Sequence, residues 1–229
     1  MIRLATLIVL AATLAACSSE IEDAKKALAD SIVIKTDMSV SDLRAYPGDV
    51  VCGKFTAYVS YHEPRMEDAP FIYRNGQIDR TPRPSDWKIF CNEDSATSLT
   101  AMTGFGPLTN DSAEWLAIIR DFGKITAALE AYYADNHFYP YNEQGLAALM
   151  EKPESKMPMP NYPEAGYLSA MPNDPWGRPY LYKAVQWGRN KGKVELLSLG
   201  RDGTPGGEGL DADVSSEYLS YFNHIIATL

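Results

Sequence analysis

The residues whose types and spacing could do chemistry are concentrated in one short segment, residues 198–214, here called the acidic loop. It places Asp202, Glu208, Asp211 and Asp213 among five glycines. Carboxylates held this closely repel one another, so a folded loop keeps them together when a positive charge lies between them. Ca²⁺ suits such a loop because it accepts many carboxylate and carbonyl oxygens in flexible geometry. A solvated Gly/Asp surface turn has the same composition, and the residues alone leave both interpretations open.

Residues that could carry out catalysis are sparse. The three histidines, His62, His137 and His224, fit no zinc-protease spacing, and the sequence contains neither G-x-S-x-G nor a phosphate-binding P-loop. We therefore expect a protein that is not an enzyme. Eight tyrosines between residues 132 and 182 suggest an alternative function, a periplasmic or surface binding module for a glycan or peptide. Such a set of tyrosines also occurs as the core and rim of a domain.

The composition is that of an exported globular protein. The chain has 229 residues, of which 45% are hydrophobic, which is enough for folded cores. Its formal net charge of −9 makes the surface a poor partner for nucleic acid or anionic lipid.

The N-terminus has the pattern of a bacterial lipoprotein signal. In residues 1–16 an apolar run follows Arg3, and the sequence L-A-A-C then ends at Cys17. The run is too short to span a bilayer, which needs about 20 residues, and it suits a secretory signal. We expect cleavage before Cys17 and acylation of its thiol. Having Ser18, rather than Asp, directly after the cysteine is similar to the pattern of lipoproteins that are sorted to the outer membrane. The predicted location is therefore the outer membrane, facing the periplasm or the cell surface; the alternative is an ordinary signal peptide with an incidental Cys17.

Two cysteines remain after Cys17 is set aside. Cys52 and Cys91 form an even pair in an oxidising compartment, which predicts a disulfide. Two free buried thiols are the alternative, and a redox pair is disfavoured because C-x-x-C spacing is absent. By restricting the unfolded chain, a disulfide that closes a segment of about 40 residues would contribute about 4 kcal/mol to the free energy of unfolding.

Four motifs in the second half of the chain occur together. They are the acidic loop, D-N-H-F-Y-P at Asp135 to Pro140, N-E-Q-G-L at Asn142 to Leu146, and N-D-P-W-G-R-P-Y at Asn173 to Tyr180. In order and approximate spacing they resemble the C-terminal domain of the major pseudopilin, protein G, of type II secretion systems. The resemblance covers roughly residues 115–214. It implies a structural or interaction role, with secretion or pilus components as partners.

The same resemblance implies a metal site. In that family the aspartates of this loop bind a structural Ca²⁺, and main-chain carbonyls complete the shell. The matching positions here are the side chains of Asp202, Asp211 and Asp213 and the carbonyl of Leu199. Glu208 is interpreted as solvated or as lying outside the inner shell.

The elements that must position these residues are predicted to form two α+β domains after the signal peptide. Residues 17–110 form a small disulfide-bonded module. It has a helix over Ile21 to Ile32, β-rich stretches over Val50 to Ser60 and Trp87 to Cys91, a turn at Asn75-Gly76, and a linker over Asp94 to Asn110.

Residues 111–229 form the pilin-like domain. Apolar residues at three- and four-residue steps from Trp115 to Tyr132 predict an amphipathic helix packed on a small antiparallel sheet. A short helix over Glu143 to Lys152, strands over Tyr180 to Gln186 and Val194 to Ser198, and a C-terminal helix complete it.

Overall fold

The computed structural model describes residues 19–155, 157–185 and 192–229. The signal peptide and acylation predictions, on residues 1–16 and Cys17, lie outside the described residues. The main boundary between two compact units lies between Ser98 and Leu99. Both units contain helices and an antiparallel sheet, so the α+β prediction is confirmed. Within the described ranges no helix combines the length and the apolar character needed to cross a bilayer.

The first unit is a four-stranded antiparallel sheet with helices. Helix α1 is described over residues 19–30. The strands follow in the order β1-β2-β3-β4, with β1 at Ile34–Tyr46, β2 at Val50–Tyr58, β3 at Met66–Arg74 and β4 at Gln77–Asp79. Helix α2 (Pro84–Phe90) comes next, and α3 (Ser95–Thr103) runs across the boundary. The predicted turn at Asn75-Gly76 is confirmed, since both residues adopt the positive φ that joins β3 to β4.

The core of this unit lies between α1 and the sheet. Leu28 of α1 and Ile32, just after it, pack against Phe55 of β2 and Phe71 of β3. The two phenyl rings meet edge to face with centroids 6.2 Å apart. The helix predicted over Ile21 to Ile32 is present in its larger part, and the apolar side chain of Leu28 anchors it to the sheet.

The predicted disulfide is present and joins Cys52 of β2 to Cys91 at the C-terminus of α2, across 39 positions. The β-rich interpretation of Trp87 to Cys91 was wrong, because this stretch is helical. Pro84 occupies the first turn, and the carboxylate of Asp86 accepts a hydrogen bond from the Arg83 N–H at 2.9 Å. Proline in the first turn and a reciprocal cap favour helix over strand locally.

The predicted linker also contains structure. Asp94 caps α3, since its Oδ1 accepts a hydrogen bond from the Thr97 N–H at 2.9 Å. This backbone hydrogen bond holds the pKa of the Asp94 carboxyl below its ordinary value. The segment Asp94 to Asn110 was predicted to be a linker because it is rich in Ser and Thr. Its first part is instead a capped helix.

The second unit combines two helices with a three-stranded sheet. Its elements are α4 (Ala113–Asn136), a 3₁₀ helix (Gly145–Leu149), β5 (Leu181–Ala184), β6 (Val194–Ser198), β7 (Val214–Ser215), a second 3₁₀ helix (Ser216–Tyr218) and α5 (Leu219–Thr228). Strand β6 is central and pairs antiparallel with both neighbours. The predicted short helix over Glu143 to Lys152 is a 3₁₀ helix of five residues.

The apolar stripe of α4 forms the core of this unit. All seven stripe residues are buried: Trp115, Ile118, Ile119, Phe122, Ile125, Leu129 and Tyr132. The Trp115 ring lies 6.0 Å from that of Phe222 in α5, and the Phe122 ring lies 5.2 Å from that of Tyr180. These contacts fix Tyr180, and with it the turn that precedes β5.

Candidate metal site

The acidic loop begins at Ser198, the last residue of β6, and ends at Val214, the first of β7. Its backbone is closed at the neck, where the Arg201 N–H donates to the Leu210 carbonyl at 2.8 Å. Gly200 and Gly207 adopt positive φ, and a Cβ at either position would collide with the carbonyl oxygen of Asp211. Glycine is required at these two positions because the chain folds tightly around that carbonyl.

The far side of the acidic loop rests on the segment that precedes α4. The Gly209 N–H donates to the Gly104 carbonyl at 2.8 Å, and the Gly209 carbonyl accepts from the Gly106 N–H at 3.4 Å. Phe105 and Gly209 form a parallel bridge between the two segments. Sequence reasoning missed this support, because it placed residues 104–106 in a linker.

The near side is held by the turn that contains the N-D-P-W-G-R motif. Asp174 is 5% exposed; its Oδ1 accepts from the Trp176 and Arg178 N–H groups, and its Oδ2 accepts from Ser198 Oγ at 3.2 Å. The Arg178 guanidinium donates to the carbonyl of Gly200. It also fills the space beside Gly203, where a Cβ would lie 2.5 Å from an Arg178 nitrogen. Arg178 therefore places a positive charge against the backbone of the acidic loop at Gly200 and Gly203.

The three predicted side-chain ligands each face a different donor. Asp202 accepts from the Thr204 N–H at 3.0 Å and from Thr204 Oγ1 at 2.8 Å. The backbone hydrogen bond from Thr204 is the main reason why the pKa of the Asp202 carboxyl lies below its ordinary value. Asp211 accepts two hydrogen bonds from the Arg201 guanidinium, at 2.8 and 2.9 Å. Asp213 accepts from the Gly206 N–H at 3.0 Å through Oδ2.

One carboxylate oxygen of the acidic loop is left over. Asp213 Oδ1 is buried and has no hydrogen-bond partner among the described residues. A buried carboxylate oxygen without a donor is costly unless a cation or another donor reaches it. It is therefore the atom of the acidic loop that most needs a positive partner.

The arrangement as a whole holds the carboxylates apart. Among the described residues, no three His, Cys, Asp or Glu side chains are grouped as a bound metal ion requires. The carbonyl of Leu199 accepts from the Gly203 N–H at 3.1 Å, and Glu208 is exposed. The donors fit Ca²⁺ in chemistry, because all are hard oxygens and Asp213 Oδ1 is unsatisfied. Assembling them around an ion would require Asp211 to share or release Arg201.

Sequence reasoning missed both arginines as parts of this site. The signals that could have found them are the Arg201-Asp202 dipeptide and the position of Arg178, four residues after Asp174. Neither signal shows which carboxylate each guanidinium meets, since that depends on how the acidic loop folds back on itself.

Of the eight tyrosines considered for a stacking surface, two are buried, one is exposed and five are half-buried. Tyr132 is fully buried, and its ring lies 6.2 Å from that of Tyr162 and 5.4 Å from that of Tyr167. Burial raises the pKa of the Tyr132 hydroxyl to about 12. Tyr180 is 4% exposed. Tyr132 and Tyr180 therefore belong to the core of the second unit, whereas the other six tyrosines are at least partly accessible.

Comparison with known proteins identifies the part of the chain that holds this loop. The family model described as "Type II secretion system (T2SS), protein G" matches residues 109–217. The type II secretion system core protein G of Pseudomonas aeruginosa is 42% identical over 106 residues, which cover 46% of this chain and 72% of the relative. The Vibrio cholerae core protein G is 39% identical over 112 residues, covering 49% of this chain and 74% of the relative.

A solved structure is also similar to part of the chain. It is the crystal structure of the major pseudopilin from the type 2 secretion system of enterohaemorrhagic Escherichia coli, with 35% identity and a TM-score of 0.36. The similarity covers 42% of this chain and 80% of that pseudopilin. By the identity and coverage of its P. aeruginosa and V. cholerae relatives, the chain belongs to the type II secretion system protein G family.

Proposed function

We propose that this chain is a non-enzymatic envelope protein that acts in type II secretion or a related pilus-like machinery through contacts of its protein G domain. The observation that carries the proposal is the 42% identity over 106 residues to a type II secretion system core protein G. Identity at this level over a whole domain supports a shared role better than a fold likeness does, because folds are reused for unrelated functions. The interior placement of Tyr132 and Tyr180 gives no reason to prefer the glycan- or peptide-binding alternative.

We also propose that the chain is held in the outer membrane by a lipid on Cys17. The support is the L-A-A-C sequence after an apolar run in residues 1–16. Acyl chains contribute about 0.8 kcal/mol per buried CH₂, so more than one chain gives a durable anchor. The protein G domain would then work from a lipid anchor beside the secretion machinery.

The third part of the proposal concerns the acidic loop. Asp202, Asp211, Asp213 and the carbonyl of Leu199 would hold Ca²⁺, which would supply the positive charge that Asp213 Oδ1 lacks among its described neighbours. The residues of the chain itself do the rest. Gly200 and Gly207 admit the tight fold around the Asp211 carbonyl, and Arg178 ties the acidic loop to the Asp174 turn. The expected result is a stiffer surface on the protein G domain.

One complementation experiment tests the role and the anchor together. A strain that lacks the gene is complemented with the wild type or with Cys17→Ala, and type II substrates in the medium and the location of the chain are both measured. We expect the deletion to lower secretion, the wild type to restore it from the membrane fraction, and Cys17→Ala to release the chain or block its processing. Normal secretion in the deletion strain, with no secretion component cross-linked to the wild-type chain, would contradict the role. Membrane retention of mature Cys17→Ala would contradict the anchor alone.

A further inference from the structure

The carboxylate of Asp211 is held by a full positive charge, whereas Asp202 and Asp213 accept from the neutral donors described above. Nε of Arg201 donates to Asp211 Oδ1 at 2.8 Å, and Nη2 donates to Oδ2 at 2.9 Å. This parallel fork engages both oxygens of the carboxylate in its own plane. A metal ion that binds Asp211 in that plane therefore meets a guanidinium already in place.

The pairing is built into the backbone at the neck of the acidic loop. The Arg201 N–H donates to the carbonyl of Leu210 at 2.8 Å, which sets Arg201 opposite the residue that follows Leu210. The Asp211 side chain is 32% exposed and that of Arg201 is 58% exposed. The backbone hydrogen bond places the two side chains within reach of each other, and holding them in one geometry costs the side-chain entropy of an ordinary surface pair. The ion pair thus joins two residues that lie ten positions apart in the sequence, Arg201 and Asp211.

We infer that Arg201 is an internal counter-ion that competes with a divalent cation for Asp211, so that cation binding at the acidic loop exchanges a guanidinium for a metal ion. The inference rests on the calcium site proposed above. It makes the neck of the acidic loop a closed structure when the cation is scarce. It also raises the cation concentration at which the acidic loop fills, compared with the same carboxylates without Arg201.

The test is a calcium titration of the purified full chain in mild detergent, by calorimetry, for the wild type, Arg201→Gln and Arg44→Gln. Arg44 is a matched control, since its exposed guanidinium pairs with Glu93 at 2.8 Å in the first unit. Removing a competing exposed ion pair is expected to lower the Kd for Ca²⁺ about two- to fivefold in Arg201→Gln. Arg44→Gln should match the wild type. Arg201→Lys, which keeps the charge and loses the fork, should fall between.

A second readout needs no bound metal. In excess chelator, the backbone amide of residue 201 should exchange with solvent faster in Arg201→Gln than in the wild type, because the ion pair that supports its hydrogen bond to Leu210 is gone. Arg44→Gln should leave this exchange rate unchanged. The measurement also establishes that the variant is folded, through the protection of amides in α4.

The outcomes separate the inference from the calcium proposal. Equal calcium affinity in the wild type and Arg201→Gln, with equal exchange at residue 201, would overturn the inference and leave the calcium site standing. Binding by Arg201→Gln but not by the wild type would support the inference and contradict calcium occupancy of the natural loop. Lack of binding in both would overturn the inference together with the site.

Discussion

The two units of this chain each hold a distant pair of positions together, and they do so by different physical means. In the first unit a disulfide joins Cys52 to Cys91, 39 positions apart. In the second unit the acidic loop is closed by backbone hydrogen bonds and by the ion pair between Arg201 and Asp211, ten positions apart. The covalent closure depends on redox conditions alone. The ionic closure depends on salt and on competing cations.

This difference bears on what each unit can do. A small core stabilised by a disulfide keeps one structure over a wide range of ionic conditions. A loop closed by charge can exchange its internal cation for an external one. The first unit is therefore suited to be a constant structural part. If the acidic loop binds calcium as proposed above, it is the part whose stability would respond to the ion.

Removing the covalent closure should have the largest effect. Replacing both Cys52 and Cys91 by alanine is expected to cost about 4 kcal/mol of unfolding free energy in the first unit, because the unfolded chain regains the freedom of the closed segment. Urea unfolding followed by amide exchange in β2 measures this loss, and reductant should reproduce it in the wild type only. If calcium restored the stability that the double alanine variant loses, the first unit would also respond to calcium, and the distinction between covalent and ionic closure would be wrong.

Two adjacent glycines, Gly206 and Gly207, allow the tight approach of the acidic loop to the Asp211 carbonyl to be tested by matched substitutions. Gly206→Ala and Gly207→Ala both place alanine at positive φ, which costs on the order of 1 to 3 kcal/mol. At Gly206 the new Cβ meets nothing within 4 Å, whereas at Gly207 it meets the Asp211 carbonyl. We therefore expect Gly207→Ala to lower the melting temperature more than Gly206→Ala and to weaken the calcium response as well. Equal effects of the two variants would show that the tight approach to Asp211 is unimportant.

How much the sequence could predict differs between the long helix and the short elements. The buried face of α4 was predictable because its apolar residues, from Trp115 to Tyr132, repeat at helical spacing over many turns. Helix α2 was missed because Trp87, Ile89 and Phe90 are residue types typical of strands. The residues that favour a helix, Pro84 and Asp86, lie before them. Helix α3 was missed because its Ser- and Thr-rich composition hides a single cap at Asp94.

The candidate site follows the same division. The start of the acidic loop after a strand and the identity of its aspartates could be predicted from residue types and motif order. Strand β7, which follows the loop, was missed. The partners of those aspartates could not, because the pairing of Arg201 with Asp211 depends on a backbone closure that no sequence pattern encodes. The support from Gly104 was also missed, since Gly104 lies far from the acidic loop in sequence. The position of Arg178 after Asp174 does not show that its guanidinium reaches the Gly200 carbonyl.

The most direct test of the calcium account is the melting temperature of the purified chain in Ca²⁺ and in chelator. At ten times the Kd, binding to the folded state alone adds about 1.4 kcal/mol of stability, which corresponds to a rise of a few degrees. Asp213→Asn should abolish the rise, Glu208→Gln should keep most of it, and Mg²⁺ should replace Ca²⁺ poorly because it prefers a rigid octahedral shell. A wild-type melting temperature that millimolar Ca²⁺ leaves unchanged, and that chelator moves no more than it moves Asp213→Asn, would contradict the account.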